Sequence, residues 1–99
     1  MELLFQLKLW KEMIIMDNKV LVNLYVPFLE KQYEVFLPAN KRIGEIIQLL
    51  GKALGDITGG YYIYQEVERI YNRQTGKEYS LQELLKYTNI RNGTELIFL

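Results

Sequence analysis

Two runs of alternating apolar and polar residues come first among the chain's regular patterns. In residues 20–26 Asn23 and Tyr25 lie on one parity, and the other parity is wholly apolar, with Val20, Val22, Leu24 and Val26. Residues 32–37 alternate in the same way. A period of two is typical of strands that bury one face. The short connection between the runs, residues 27–30, predicts a β-hairpin.

A stripe of apolar residues with helical spacing follows the hairpin. Its members, at i, i+3, i+4, i+7 and i+11, are Ile43, Ile46, Ile47, Leu50 and Leu54. This spacing predicts a helix over residues 43–54 with one face packed on a sheet. We expect Asn40 to be its N-cap and Gly55 to end it, because these residue types favour those positions.

The last third of the chain predicts three further strands. Residues 67–72 and 77–79 form the first two, with a glycine-containing turn between them, and residues 94–99 form the last. A helical turn over residues 81–85, capped by Ser80, precedes the last strand. The order is therefore β-β-α-β-β-β, which indicates an α+β domain over residues 17–99.

The N-terminal residues 1–16 lie outside this pattern and are predicted to form an appended arm. Their apolar positions fit a strand and a helix equally well, so both remain open. Glu2 stands where a signal peptide has basic residues, and Lys8, Lys11 and Glu12 interrupt the apolar run. Both features argue against a signal peptide, and the interruptions argue against membrane insertion. We expect the arm to pack on the domain or on a second copy, and so to support a homo-oligomer.

The order and spacing of these segments are similar to those of ubiquitin. Residues 20–38 and the helix resemble its first half. Residues 81–99 resemble its end: Leu81 opens a short turn, Ile90 re-enters the core, and Leu96 and Phe98 alternate in the last strand. The chain therefore resembles the ubiquitin-like β-grasp superfamily. Within it, the chain is most similar to the YukD/EsaB-type ubiquitin-like proteins of bacterial type VII secretion systems, over roughly residues 18–99.

The resemblance implies a mixed sheet, with the last strand parallel to the first at its centre. Ubiquitin and the sulfur carriers of this fold act through a C-terminal Gly-Gly, whereas this sequence ends at Phe98 and Leu99. We therefore expect a non-conjugating protein. Two alternatives remain: a sulfur carrier or modifier that lacks its Gly-Gly tail in this sequence, and a ubiquitin-like domain of a larger protein.

Composition narrows the chemistry. Twelve basic residues balance twelve acidic ones, so nothing indicates a nucleic-acid partner. There is no cysteine and no histidine, which removes thiolate chemistry and the commonest general base and metal ligand. Glu66 and Glu68 are a weak acid–base candidate that a solvated strand face explains more simply. We expect no enzyme activity, no cofactor or metal, and a cytoplasmic location.

Parity in the last strand predicts a protein-binding surface. If Leu96 and Phe98 face the core, their neighbours face the open side of the sheet. The predicted binding residues are Tyr25, Phe28, Leu29, Tyr71, Ile97 and Leu99. The expected partner is a protein, such as a component of the secretion apparatus. The alternative is that the arm covers this face.

A second tyrosine-rich segment is also a candidate surface. Tyr61, Tyr62 and Tyr64 follow the helix directly. Tyrosines tolerate partial exposure and anchor interfaces, so this cluster suits protein binding. Packing against the helix edge explains it equally well.

Overall fold

A mixed four-stranded sheet with one long helix on one face makes up the described part of the chain. The computed structural model describes residues 18–99, and the predicted arm, residues 1–16, lies outside them. The elements are β1 (Lys19–Val26), β2 (Lys31–Pro38), α1 (Ile43–Ile57), β3 (Ile70–Asn72) and β4 (Glu95–Phe98). Short 3-10 turns occur at Pro27–Leu29 and Leu85–Tyr87.

The sheet has the strand order β2-β1-β4-β3. β1 pairs with β2 in antiparallel register and with β4 in parallel register, and β3 pairs with β4 in antiparallel register. The last strand therefore lies at the centre of the sheet, parallel to the first. This arrangement confirms the predicted α+β β-grasp architecture.

The first hairpin follows directly from its alternating sequence. All eight residues of β1 have partners in β2, from Lys19 opposite Pro38 to Val26 opposite Lys31. The connection is a 3-10 turn that begins at Pro27, whose ring presets a helical φ. Glu30 closes the turn in the left-handed conformation, with a φ of 52°.

The helix begins at Ile43 as its spacing predicts, but its N-cap and its end differ from the prediction. Arg42, not Asn40, is the N-cap, and its amide donates a hydrogen bond to Glu45 Oε1 at 3.0 Å. Gly55 lies inside the helix, and Thr58 is the C-cap. The helix continues because Thr58 donates from its amide and its hydroxyl to the carbonyl of Leu54, which closes the last turn.

Three predictions for the last third need correction. β3 is shorter than residues 67–72 because Glu68 turns inward before the strand begins. The predicted strand 77–79 is reduced to a single bridge, Tyr71 to Glu78. The predicted helical turn at 81–85 is instead a 3-10 turn at 85–87. The backbone before it bonds to the start of α1, where Ile43 and Gly44 donate to the carbonyls of Glu83 and Leu81.

The core lies between α1 and the face of the sheet that it covers. The largest fully buried side chains are Tyr33, Phe98, Leu24, Leu37, Ile43, Ile46, Leu50, Leu54 and Ile70. Each belongs to the apolar parity of a strand or to the apolar stripe of the helix. The other parity of the sheet is left for the opposite, open face.

Candidate protein-binding surface

Three of the predicted binding residues form one row across the open face. Ile97 of β4 lies opposite Tyr71 of β3 and opposite Tyr25 of β1. All three are half-buried, whereas Leu96 and Phe98 are fully buried, as the parity of β4 predicts. The row is therefore a continuous apolar strip three strands wide.

Arg73 covers one end of this row, a contact absent from the sequence-based predictions. Its guanidinium carbon lies 4.6 Å from the centre of the Tyr25 ring, and its Nη1 donates to Gln32 Oε1 at 3.1 Å. A cation over a ring face is attracted by the ring quadrupole. The turn after β3 thus sends a basic side chain across the sheet, which no local pattern indicates.

A second apolar surface lies at the end of the sheet where the hairpin connection and the end of β4 meet. We call it the end patch. Its members are Phe28, Tyr61, Ile63, Val67 and Leu99, each between 62% and 71% exposed. They line one cleft together. Within residues 18–99 only one other large apolar side chain is exposed, Tyr87.

The predicted site residues thus divide between two surfaces. Phe28 and Leu99 belong to the end patch, whereas Tyr25, Tyr71 and Ile97 form the row on the open face. Leu29 turns inward and packs against the core, although it also lines a shallow groove beside Phe28.

The loop between α1 and β3 supplies most of the end patch, and its side chains alternate between solvent and interior. Tyr61, Ile63 and Val67 are exposed, while Tyr62 and Glu68 are buried. The Tyr62 ring contacts Phe28 on one side, 5.8 Å between ring centres, and Phe98 on the other, 6.2 Å. An aromatic chain thus connects the surface to the core.

Glu68 is the anchor of this loop. One carboxylate oxygen accepts from the Tyr62 hydroxyl at 2.7 Å and from the Gln65 amide at 2.9 Å. The other accepts from the Val67 amide at 3.1 Å. The interpretation of Glu68 as part of a solvated strand face is therefore wrong. Its side chain closes the loop because buried carboxylates require several donors.

The ionisation of Glu68 and Tyr62 follows from this network. Burial by itself raises the pKa of Glu68, but the hydrogen bonds from Gln65, Tyr62 and Val67 outweigh it and hold the pKa below its ordinary value. Burial, together with the adjacent carboxylate, raises the pKa of Tyr62 well above its ordinary value. At neutral pH the pair is therefore a carboxylate with a protonated phenol.

The tyrosines of the cluster divide between the surface and the interior. Tyr61 is exposed in the end patch, and Tyr62 is buried. The Tyr64 ring lies directly over Gly51 of α1, so close that a Cβ at Gly51 would come within 2.3 Å of it. One tyrosine therefore belongs to the surface, and the other two attach the loop to the domain.

No protein family and no curated protein match the sequence. Solved structures do match its fold. The ubiquitin-like domain of the Mycobacterium tuberculosis type VII secretion system protein EccD1 is 14% identical, with a TM-score of 0.66 over 83% of this chain and 98% of that domain. This chain has the ubiquitin-like fold.

Two further ubiquitin-like domains lie at a similar distance. One, from an Arabidopsis thaliana protein, is 15% identical with a TM-score of 0.58, over 85% of this chain and 79% of its own. The other, from Plasmodium falciparum Dsk2, is 17% identical with a TM-score of 0.55, over 83% of this chain and all of its own. At these identities the likeness establishes the fold.

The described part of the chain holds neither a metal-ligand cluster nor a membrane-spanning helix. Across residues 18–99, no three histidine, cysteine, aspartate or glutamate side chains converge in a group able to hold a metal ion. Within the same residues, no helix combines the length and the apolar character that crossing a bilayer requires.

Proposed function

We propose that this ubiquitin-like chain is a protein-binding module whose contact surface is the end patch. One observation carries the proposal: five of the six large apolar side chains exposed within residues 18–99 converge on one cleft. Contiguous exposed apolar patches are rare on monomeric proteins unless they contact a partner. Aromatic side chains such as those of Phe28 and Tyr61 are the kind that anchor interfaces.

We further propose that the module serves a bacterial type VII secretion system, as an accessory or regulatory component in the cytoplasm. Two observations support this assignment. Roughly residues 18–99 resemble the ubiquitin-like proteins encoded with such systems. A solved structure with the same fold is the ubiquitin-like domain of a secretion protein of this type.

The test compares two tyrosines of equal exposure. Tyr61, in the end patch, is 68% exposed, and Tyr87, outside the patch, is 69% exposed. Tyr87 lies near the end of β2, because the amide of its neighbour Lys86 donates to the carbonyl of Ala39. The tagged full chain and its Tyr61→Ala and Tyr87→Ala variants are expressed in the native cells. After mild cross-linking and purification, captured proteins are quantified by mass spectrometry.

We expect Tyr61→Ala to reduce capture of the main partner by roughly tenfold, the effect typical of an interface anchor, and Tyr87→Ala to leave it unchanged. The secretion proposal predicts that this partner is a component of the type VII apparatus. Equal capture by all three chains would contradict the end patch as the contact surface. A partner from another system would contradict the secretion role alone.

The row on the open face is a second candidate surface, and the same experiment tests it. Tyr71→Ala and Ile97→Ala should weaken capture if the row contacts the partner, and circular dichroism should show both variants folded. If these two variants capture normally while Tyr61→Ala does not, the end patch alone is the contact surface.

A further inference from the structure

The cleft of the end patch combines apolar walls with a buried anion. Its volume is about 370 Å³, and its lining includes Phe28, Tyr61, Val67 and Leu99 together with Glu68. A cleft of this size accommodates one or two long side chains. Within residues 18–99 the carboxylate of Glu68 accepts hydrogen bonds only from neutral donors, namely one hydroxyl and two amides.

Glu68 is therefore an ionised group behind an apolar surface, and its hydrogen-bond donors within residues 18–99 include no cation. Neutral donors stabilise a buried carboxylate but leave its net charge in place. In a region of low dielectric constant this charge acts over several ångströms. A positive group entering the cleft gains from it.

Two further carboxylates lie beside the patch. Glu30 lines the groove beside Phe28 and Tyr61. Glu66 precedes Val67 in the loop and lines a neighbouring cleft that Glu68 also borders. Both are exposed. They are also the two non-glycine residues of the described chain with left-handed backbone, at φ of 52° and 65°.

The basic residues nearby change this picture little. Arg69 donates to the carbonyls of Val67 and Glu68 and forms an ion pair with Glu78 at 3.5 Å, so its guanidinium is already engaged. Lys31 adjoins Glu30 in the neighbouring groove. Three carboxylates and two cations thus lie in or beside the patch, and neither cation is without a partner.

We propose that the end patch receives a basic, apolar segment of a partner protein, with a lysine or arginine side chain entering the cleft toward Glu68. The aliphatic stem of such a side chain packs on apolar walls while its charged end reaches the carboxylate. Aromatic faces at Tyr61 and Phe28 add a cation–π attraction. This inference rests on the proposed function, because it names the partner chemistry for the same surface.

The experiment uses two synthetic peptides and the full chain labelled with ¹⁵N. The first probe is the acetylated and amidated peptide Leu-Arg-Leu-Leu-Arg-Leu, and the second carries glutamate in place of both arginines. Amide chemical shifts locate the binding site and give the affinity. The arginine peptide should perturb the amides of residues 61–68 and bind more tightly than the glutamate peptide. About 1 M salt should weaken this preference, because the Debye length is then about 3 Å.

A charge-matched pair of variants isolates the rim. The double variant Glu30→Gln with Glu66→Gln should lose about two- to fivefold in affinity for the arginine peptide, the usual effect of exposed ion pairs. The control, Glu83→Gln with Glu95→Gln, changes net charge equally at other exposed positions and should bind as the parent does.

Three results would overturn the inference. Equal affinity of the two peptides at the end patch would leave a protein-binding surface without a preference for basic partners. Shift changes centred away from residues 61–68 would show that the basic peptide binds elsewhere. Absence of binding by either peptide would also reject it, whereas the capture experiment with Tyr61 and Tyr87 tests the proposed function independently.

Discussion

Glu68 shows how a single side chain can determine the shape of a surface. Its carboxylate ties together the Tyr62 hydroxyl and the amides of Gln65 and Val67, so that Ile63 and Val67 project outward. Exposed apolar side chains on an unanchored loop would collapse inward or move freely. On an anchored loop they are preorganised, which lowers the entropy cost of binding a partner.

Substitution of this anchor should cost stability. Glu68→Gln preserves size but replaces one acceptor oxygen by a donor, so at least one of the three hydrogen bonds is lost within the buried network. We expect the free energy of unfolding at pH 7 to fall by about 1–3 kcal/mol, measured by urea denaturation. The exposed Glu66 provides the control, because Glu66→Gln should change the free energy of unfolding by less than about 0.5 kcal/mol. Matching values for the two variants would refute the anchoring role.

The depressed pKa of Glu68 predicts a dependence on acidity. Because the pKa is lower in the folded chain than in the unfolded chain, ionisation stabilises the fold above the ordinary glutamate value, about 4.3. This contribution is lost as the pH falls through the folded pKa. Between about pH 5 and pH 3 the parent chain should therefore lose more stability than Glu68→Gln. Parallel stability profiles would contradict the assignment.

Among the elements, α1 and the loop that follows it are coupled through a glycine. Gly51 lies in the helix interior, where alanine is usually better by about 1 kcal/mol. Here the Tyr64 ring occupies the space above it. Gly55 lies one turn later. A Cβ at this position would have the carbonyl oxygen of Tyr62 as its nearest neighbour, at 3.4 Å.

These two glycines should respond oppositely to the same substitution. Gly51→Ala forces Tyr64 away from the helix and should lower the free energy of unfolding by about 1–3 kcal/mol. Gly55→Ala gains helix propensity with only ordinary contact and should raise it by about 0.5–1 kcal/mol. Thermal and urea denaturation measure both. Stabilisation by Gly51→Ala would show that the loop does not rest on the helix.

For the molecule as a whole, local periodicity is enough to predict the hairpin, the helix and the last strand, whereas the central place of that strand follows only from the resemblance to ubiquitin. Each of these buries a face with period two or 3.6, and the turn at Gly76, with a φ of 77°, is equally local. The sequence predicts too long a β3, because Val67 and Glu68 continue its strand-like composition. Hydrogen bonds to the Glu68 carboxylate instead hold this side chain in the interior. Those bonds come from a loop whose path depends on tertiary packing.

The candidate site was only partly predictable, for the same reason. Phe28 and Leu99 were selected from the hairpin connection and from strand parity. Phe28 and Leu99 line one cleft with Ile63 and Val67. Each of the first two is more than thirty positions from the other two in the chain, so no local pattern encodes their proximity. Arg73 over Tyr25 is likewise a contact between distant segments.

The most direct test of the end patch is site-specific photo-cross-linking in the native cells. A photoreactive phenylalanine analogue replaces Tyr61 in one chain and Tyr87 in another, two positions with nearly equal exposure. We expect irradiation to link the chain to the captured partner protein from position 61 and not from position 87. Cross-links from position 87 alone, or equal cross-links from both positions, would contradict this expectation.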